Sequence, residues 1–378
     1  MSQRPNFQTF EPMGKPFHII CTVTNDLNFD QRMIRICTSL ANHGYKVTLT
    51  GRKLPDSQPL TKRPFRQVQL SCYFKKGALF YAEYNLRLFL WLLFQQADCI
   101  CAIDLDTILP CLWVSKIKRW ERVYDAHELF CEMKEVVSRP SRYKIWKKIE
   151  QYAVPQFSHG YTVCLPIADE FKKMYGVEYD VIRNIAVLKD DKPQPIRQSK
   201  FFIYQGAVNE GRSFETLIPA MQKVNAPLLI FGDGNHFTKT ASLIEQYGLR
   251  DQVQLMGKLT PEALRAETEL AYAGITLFEN NGYSNYVSLA NRFFDYIHAG
   301  IPQLCVDYPS YRAINDEWEV ALLIKDLSPE TIADALNLLL SDDVLYARLR
   351  NNCLKARHSL NWQEEEKKLI NFYRHIER

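Results

Sequence analysis

Apolar runs and amphipathic segments alternate along the chain from Phe17 onward. Runs such as FHIICTVTN and YKVTLTGR are short, apolar and rich in β-branched residues, which predicts buried strands. Between them, residues 30–43 carry apolar side chains at helical spacing and stop before Gly44, which predicts a helix. A strand, a helix and a second strand in this order are typical of a parallel sheet and of the α/β class.

The same alternation continues through both halves of the sequence. In the first half, further strands are predicted at RQVQLSCYF, CICAID, RVYDA, YTVCL and YDVIRN, and helices over residues 79–96, 107–119, 132–156 and 167–175. In the second half, strands are predicted at FFIYQG, PLLIFGDG, VQLMG, AGITLFE, PQLCVD and VALLI, and terminal helices over residues 329–340, 343–356 and 362–376. Two Rossmann-like doubly wound domains are therefore expected.

A length of 378 residues also fits two domains better than one. Residues 187–200 contain two prolines and alternating charges without apolar periodicity, which is typical of a linker. Open α/β sheets bind ligands at the carboxyl ends of their strands, so a ligand is expected in a central cleft between the domains. We predict an N-terminal domain over residues 1–186, a linker over 187–200, a C-terminal domain over 201–360, and a helix over 361–378 that packs back toward the N-terminal domain.

Composition and charge limit the classes of partner. The net charge of +4 fits an anionic small molecule or membrane surface and is weaker than a nucleic-acid-binding protein would carry. The ten cysteines are scattered, several of them in apolar runs, which indicates buried thiols in a reducing compartment. Cysteines and histidines show no metal-ligand spacing. The N-terminal segment lacks an apolar signal core and no run reaches the roughly 20 residues of a membrane span, so a cytoplasmic location is expected.

Two strand-end loops of the second half carry glycines and a candidate ligand-binding arginine. After the strand FFIYQ, Gly206 lets backbone approach a ligand, and Arg212 offers a guanidinium that suits phosphate oxygens. After PLLIF, Gly232 and Gly234 form a Gly-x-Gly turn. The alternatives are a solvated loop arginine and an ordinary tight turn.

A third loop runs from Glu279 into a helix within YVSLANRFFDYIHAG. Ser288 or Asn285 is expected to cap this helix, whose first backbone amides and dipole then form an anion site. Asp295, one turn further, is placed to accept hydrogen bonds from ribose hydroxyls. The alternative is that Asp295 is an exposed partner of Arg292.

In the first half, the segment YDAHELFCE places Asp125, His127 and Glu128 just beyond a strand. Strand alternation puts Asp125 and His127 on the same side, where a histidine can act as a general catalyst or contact a donor sugar. We name these three residues as catalytic candidates, with Asp104 and Asp106 as weaker ones. The alternative is a cluster that satisfies backbone groups at the strand end.

Taken together, these motifs resemble the retaining GT-B glycosyltransferases of the bacterial group called glycosyltransferase family 4, or group 1. The resemblance rests on G-x-x-x-x-x-R after a strand, LLIFGDG and LxNRFFDYIHAGIPQLCVD in the second half, and on VTNDLNF, IDLDT, YDAHELFCE and IADEFKKMYG in the first. These motifs keep the family's order and cover residues 17–373. The resemblance implies GT-B architecture and a hexosyltransferase of glycan biosynthesis. Such an enzyme transfers sugar from a nucleoside-diphosphate sugar to a glycan or lipid-linked acceptor, without a metal or other cofactor.

The resemblance also assigns roles to individual residues. It implies that Arg212 binds the donor diphosphate, that Asn291 and Arg292 stand where the family often has Asn-Lys, and that Asp295 replaces a glutamate that holds the donor ribose. The family usually has a second carboxylate eight positions before that glutamate. Val287 occupies that position here.

Because this second acid is absent, the backbone amides of residues 287–291 are expected to position the phosphates. Two alternatives to a glycosyltransferase remain at this point. One is a nucleotide-sugar epimerase of the same architecture, and the other is a weakly active or inactive homologue that acts as a binding subunit.

Residues 75–96 form a candidate membrane-contacting segment. The segment is apolar and aromatic, with Tyr81, Tyr84 and Phe94 among its aromatic residues and Lys75 and Lys76 at its start. Such a helix can lie in a membrane interface near a lipid-linked acceptor, at the inner face of the membrane. The alternative is a core helix with some exposed aromatic side chains.

Overall fold

The computed structural model describes residues 15–55, 57–189 and 200–378, and within these ranges the chain forms two sheets flanked by helices. The predicted linker over residues 187–200 lies largely outside the described residues. The α/β class and the two Rossmann-like sheets are confirmed. None of the helices in the described ranges is both long and apolar enough to cross a bilayer.

The first sheet has seven strands in the order β3-β2-β1-β4-β5-β6-β7. Pairing from β3 through β5 is parallel. The strands are β1 His18–Thr22, β2 Lys46–Lys53, β3 Arg66–Ser71, β4 Cys99–Ile103, β5 Glu121–Ala126, β6 His159–Thr162 and β7 Asp180–Val181. The helices that alternate with them are α1 Gln31–Asn42, α2 Gly77–Leu93, α3 Ile108–Lys118, α4 Lys134–Val137, α5 Pro140–Ala153 and α6 Leu165–Tyr175.

The second sheet has six strands in the order β10-β9-β8-β11-β12-β13, and every pair is parallel. The strands are β8 Phe202–Gln205, β9 Leu228–Phe231, β10 Val253–Gly257, β11 Ala273–Thr276, β12 Gln303–Val306 and β13 Ala321–Ile324. The helices are α7 Phe214–Ala220, α8 Phe237–Gln246, α9 Pro261–Leu270, α10 Tyr283–Val287, α11 Asn291–Ala299, α12 Pro309–Trp318, α13 Pro329–Ser341, α14 Asp343–Ala356 and α15 Trp362–Ile376.

Buried strands explain why the sequence reads as continuous apolar runs. All residues of β1, β4, β8, β11 and β12 are buried, because helices cover both faces of a parallel sheet. Helix ends follow local chemistry. Asp30 caps α1 by accepting a hydrogen bond from the backbone N–H of Met33 at 3.0 Å, and Gly300 ends α11 in the left-handed conformation at φ 69°.

The chain forms two compact units. One comprises the chain up to His127, Lys148–Tyr161 and Lys368–Arg378, and the other comprises Glu128–Lys147 and Thr162–Lys367. Within the first unit, Tyr373 of α15 is fully buried and packs against the rings of Tyr45 and Tyr161. The end of α15 is therefore part of the core that supports the seven-stranded sheet.

Candidate functional site

The six-stranded sheet has its topological switch point between β8 and β11. From β8 the chain proceeds to β9 on one side, whereas from β11 it proceeds to β12 on the other. The loops that follow these two strands therefore diverge and leave a crevice at their carboxyl ends, which is where such sheets bind ligands. The predicted site residues from Gly206 to Arg212 and at Glu279 lie in these two loops.

Glycines allow the loops after β8 and β9 to pack directly on each other. Gly232 has a φ of 147°, and a Cβ atom placed there would lie 1.8 Å from the carbonyl oxygen of Gly206. A Cβ atom on Gly234 would lie 2.2 Å from Oδ1 of Asn209. Gly206 has a φ of 122° and its Cα faces the guanidinium of Arg292, since a Cβ atom there would lie 3.0 Å from Nη1. The glycines thus fix the backbone that surrounds this arginine.

Arg292, in the first turn of α11, is buried beneath the switch point. Its Nη1 donates to the hydroxyl of Tyr204 and to the carbonyl of Gln205, both at 3.1 Å. Its guanidinium carbon lies 4.5 Å from the centre of the Tyr204 ring and 4.6 Å from that of Phe278. Nε and Nη2 are buried and have no hydrogen-bond partner among the described residues. Two charged donors therefore remain unsatisfied within the described part of the chain, and an anion would satisfy them.

Arg212 brings a second guanidinium to the same aromatic ring. Its guanidinium carbon lies 4.4 Å from the centre of the Phe278 ring, and its Nη1 donates to Oδ1 of Asn285 at 3.4 Å. Burial and the nearby charge of Arg292 lower the pKa of Arg212. Two neighbouring like charges destabilise each other, and neither guanidinium has an ion pair with a carboxylate in the described part of the chain. This arrangement favours binding of an anion with several oxygens.

Asp295 is linked to the same strand end by Gln205. The side-chain Nε2 of Gln205 donates to Oδ2 of Asp295 at 2.9 Å, and the hydroxyl of Thr268 donates to Oε1 of Gln205 at 2.6 Å. Since the carbonyl of Gln205 also accepts from Arg292, one residue orients both the arginine and the carboxylate. Arg292 is buried against β8, so the alternative of an exposed Arg292–Asp295 pair does not occur.

The entry into α11 differs from the prediction that Ser288 or Asn285 caps this helix. A separate short helix, α10, ends at Val287, and the hydroxyl of Ser288 donates to the carbonyl of Asn285 at 3.0 Å. Helix α11 begins only at Asn291, which is exposed, and no side chain caps it. The prediction was wrong because α10 has only five residues. The apolar pattern of so short a helix does not differ from that of a loop.

The backbone around Val287 is held by polar contacts at the position where the resemblance predicts an acid. The Val287 side chain is buried, and its carbonyl accepts from the hydroxyl of Ser310 at 2.6 Å and from the thiol of Cys164 at 3.2 Å. The amide of Ala290, one of those expected to position phosphates, donates to the hydroxyl of Tyr311 at 3.0 Å. That amide is therefore engaged within the protein.

The amide of Glu279 connects the two loops of the switch point. It donates to the carbonyl of Gly211 at 3.0 Å, while the Glu279 carboxylate accepts from Nδ2 of Asn281 at 2.9 Å. Both contacts fix the loop after β11 against the loop after β8. Sequence reasoning missed Phe278 and Gln205, although an aromatic and a polar residue directly at the ends of buried strands were a usable signal.

In the seven-stranded sheet, a charged cluster forms at the end of β5. Asp125 is fully buried and accepts from Nη2 of Arg32 at 2.8 Å and from Nε at 3.3 Å. Nε2 of His127 lies 3.2 Å from Oδ2 of Asp125, and Nδ1 lies 3.2 Å from Oδ2 of Asp104. The backbone N–H of His127 donates to Oδ1 of Asp104 at 2.9 Å.

This geometry determines the charges of the cluster. Burial disfavours the imidazolium, but Asp104 and Asp125 outweigh it and hold the pKa of His127 well above its ordinary value. Burial likewise opposes ionisation of Asp125, but the charges of Arg32 and His127 lower its pKa to about 2. Each ring nitrogen of His127 lies 3.2 Å from a carboxylate oxygen, which favours the protonated ring. Glu128, the third candidate, is partly buried and belongs to the other compact unit.

Asp104 and Asp106 follow β4 in a strained turn. Asp104 has a φ of 51°, which is uncommon for a residue other than glycine. Oδ2 of Asp106 accepts from the hydroxyl of Thr24 at 2.9 Å, whereas Oδ1 is buried with no hydrogen-bond partner among the described residues. Burial and the charge of Asp104 raise the pKa of Asp106 to about 7. Asp106 therefore carries a proton at mildly acid pH.

An Asp106→Asn variant should become progressively more stable than the wild-type protein as the pH rises from about 4 to about 7. In this window the unfolded chain releases the Asp106 proton while the folded chain retains it, so the wild-type unfolding free energy falls with pH. The gain of the variant at pH 8 should be about 2 to 4 kcal/mol. Urea denaturation at several pH values measures it, with Asp343→Asn at an exposed position as the control. A pH-independent difference would contradict the raised pKa.

Comparisons with known proteins agree with this architecture. Residues 188–356 match the family model of glycosyl transferases group 1. A stretch of 139 residues is 30% identical to the probable sucrose-phosphate synthase 2 of Oryza sativa subsp. japonica, and covers 35% of this chain. That stretch spans only 14% of the length of the rice protein.

Solved structures of similar fold cover nearly the whole chain. Sucrose-phosphate synthase from Thermosynechococcus elongatus is 17% identical with a TM-score of 0.78, and the match covers 95% of this chain and 99% of that one. WaaG, a glycosyltransferase involved in lipopolysaccharide biosynthesis, is 16% identical with a TM-score of 0.72 over 93% and 98% of the two chains. HepE from Anabaena, in complex with UDP and glucose, is 12% identical with a TM-score of 0.73 over 93% and 98%.

The fold is therefore that of the GT-B glycosyltransferases, and the C-terminal half of the chain matches glycosyl transferases group 1. The predicted resemblance is confirmed at this level, while the narrower assignment to family 4 stays a prediction. Across the described residues, no three His, Cys, Asp or Glu side chains are grouped to hold a metal ion. The expectation that no metal is required stays a prediction as well.

Proposed function

We propose that this protein transfers a hexosyl group from a nucleoside-diphosphate sugar to a glycan or lipid-linked glycan acceptor, with retention of the anomeric configuration. The observation that carries the proposal is the pair of guanidiniums, Arg212 and Arg292, that share the Phe278 ring at the switch point without a carboxylate partner among the described residues. A diphosphate supplies negative charge beside both guanidiniums, and its oxygens accept hydrogen bonds from Nε and Nη2 of Arg292. The complex of HepE with UDP and glucose concerns a protein of the same fold and supports this ligand class.

The charge distribution suits a reaction limited by leaving-group departure. When the bond between the sugar C1 and the β-phosphate oxygen breaks, negative charge grows on the departing diphosphate, and the two fixed guanidiniums stabilise it. The acceptor hydroxyl oxygen bonds to C1, and its proton passes to a phosphate oxygen of the leaving group. No protein base and no metal enter this scheme, in agreement with the role of His127 as a cation held between two carboxylates.

Other residues are proposed to orient the substrates. Asp295, held by Gln205 at the end of β8, is placed to accept hydrogen bonds from the ribose hydroxyls. We assign acceptor binding to the carboxyl edge of the seven-stranded sheet, where Thr24 and Asp106 offer a hydroxyl and a partly protonated carboxyl. Nine of the ten cysteines are buried free thiols, which fits a reducing compartment and a reaction in the cytoplasm.

A thermal-shift panel of nucleoside diphosphates and their sugars tests the proposal. At a concentration of about 100 times its dissociation constant, the correct nucleotide should stabilise the protein by about 2.7 kcal/mol. The donor sugar found in this way is then incubated with candidate glycans, and the anomeric configuration of the product is read by NMR.

Three results would contradict the proposal in different ways. If no nucleoside diphosphate raises the melting temperature, the proposed donor site is wrong. Conversion of the free donor sugar without an acceptor would indicate an epimerase. Donor binding with no transfer to any acceptor in the panel would indicate a binding subunit.

A further inference from the structure

Helix α2 presents two apolar faces, of which only one contributes to the core. The inward face consists of Phe80, Tyr84, Leu88 and Leu92, spaced four residues apart and all at most 4% exposed. The opposite face carries Leu79, Leu86, Leu90 and Phe94, which are 61%, 59%, 48% and 85% exposed. The inward face supplies the contacts of α2 with the core. The exposure of the opposite apolar face is therefore not explained by packing within the core. Of the aromatic residues predicted to face a membrane, Tyr84 is therefore excluded by burial.

Neighbouring elements extend this exposed face. Trp113 and Ile117 lie one turn apart on α3 and are 43% and 62% exposed, and the Trp113 ring contacts that of Phe89 on α2 at 6.3 Å between centres. Tyr73 and Phe74, in the segment before α2, are also exposed. We call the outward side chains of the two helices the α2–α3 apolar surface; it comprises Leu79, Leu86, Leu90, Phe94, Trp113 and Ile117. Isolated exposed apolar residues are ordinary, but a contiguous group marks an interaction site.

Basic residues adjoin the α2–α3 apolar surface along the sequence of α2, α3 and their ends. The exposed cations are Lys75, Lys76, Arg87, Lys116 and Arg119. Glu83 is the sole acidic residue in the sequence segments 72–96 and 107–120. Its carboxylate accepts from the backbone N–H groups of Tyr73 and Phe74 at 2.9 and 2.8 Å and from Arg87 at 2.8 Å. The single acid is thus used to hold the Tyr73–Phe74 segment, and the surface remains cationic.

We propose that the α2–α3 apolar surface binds the interface of an anionic phospholipid bilayer. Leucine, phenylalanine and tryptophan side chains enter the boundary between head groups and acyl chains, while the surrounding lysines and arginines contact lipid phosphates. A second copy of the chain fits less well, because both copies would bring the same basic residues to a two-fold contact and neither would bring a matching acidic group. The proposal is independent of the transfer reaction and concerns where the protein resides.

Co-sedimentation of the full-length protein with vesicles tests this proposal. We expect little binding to phosphatidylcholine and clear binding to phosphatidylcholine that contains about 30% phosphatidylglycerol, since each basic residue near an anionic surface contributes roughly a fivefold gain in partitioning. Reversal of two charges in Lys75→Glu/Lys116→Glu should lower that binding by about 25-fold or more. Leu86→Gln/Leu90→Gln/Phe94→Gln should lower it by at least about tenfold, because the inserted apolar area is lost.

Matched controls separate the surface from general effects of charge and polarity. Leu338→Gln/Val344→Gln removes exposed apolar side chains from other helices, and Lys325→Glu/Lys355→Glu reverses the same number of charges elsewhere. Both should bind vesicles as the wild-type protein does. All variants alter exposed positions, so unchanged melting temperatures verify that they fold. The proposal is overturned if the wild-type protein does not co-sediment with anionic vesicles. It is also overturned if the variants of the α2–α3 apolar surface bind these vesicles as strongly as the wild-type protein does. A dimer in sedimentation velocity that the surface variants disrupt, without vesicle binding, would assign the surface to contact between copies.

Discussion

An Asp125→Asn variant should lose about 3 to 5 kcal/mol of unfolding free energy, the usual cost of removing one partner from a buried ion pair. Asp125 is fully buried between Arg32 and His127, and the guanidinium of Arg32 remains cationic when the carboxylate becomes an amide. The buried guanidinium of Arg32 would then lose its paired carboxylate, and His127 would keep only Asp104 as an acidic partner. Because asparagine preserves the shape of the side chain, the loss measures charge rather than packing.

Urea denaturation of the Asp125→Asn variant at several pH values provides the measurement. The folded-state pKa of Asp125 is lowered to about 2, so its stabilising effect is present above the unfolded-state pKa of about 4 and is lost as the pH falls toward 2. The difference between variant and wild type should therefore shrink over that range. Glu178→Ala, which breaks an exposed ion pair with Lys172, should leave the unfolding free energy nearly unchanged. Equal effects of the two substitutions would show that the cluster carries no special stabilisation.

Much of the fold follows from local sequence patterns, namely apolar periodicity and the residues at helix ends. The helices over residues 343–356 and 362–376 occur as predicted, since apolar periodicity and polar ends agree there. The strands β1, β4, β8, β11 and β12 are largely apolar runs because they are buried on both faces. Helix α10 was missed, as five residues give no period to detect. Such a turn depends on contacts from distant residues, here Ser310 and Cys164 on the carbonyl of Val287.

The candidate site was only partly predictable for a related reason. Arg212 and Asp295 stand in recognisable motifs, whereas the Phe278 ring that lies beside both arginines belongs to no motif and gains its role from position alone. The sequence placed His127 beyond a strand but did not show that Asp104 and Asp125 occupy both of its nitrogens. Asp104 follows β4 and Asp125 lies in β5, so the two carboxylates come close only because β4 and β5 are neighbours in the sheet.

An Arg212→Met variant should bind the donor nucleoside diphosphate about 1.5 to 3 kcal/mol more weakly, or about 10- to 100-fold, because a charge-assisted contact to phosphate is lost. Methionine retains the packing of the side chain against Phe278, so the fold of the loop should persist. Loss of one of two adjacent cations also relieves repulsion with Arg292. The variant should therefore be at least as stable as the wild-type protein in the absence of ligand, which separates a binding defect from a folding defect.

Calorimetric titration of wild type and Arg212→Met with the nucleoside diphosphate that gives the largest thermal shift measures how much Arg212 contributes to diphosphate binding. Arg348→Met, which removes an exposed arginine paired with Glu319, serves as the matched control. We expect wild-type affinity for the control and a loss of about 10-fold or more for Arg212→Met. Equal affinity of all three proteins would contradict a diphosphate site at the end of β8.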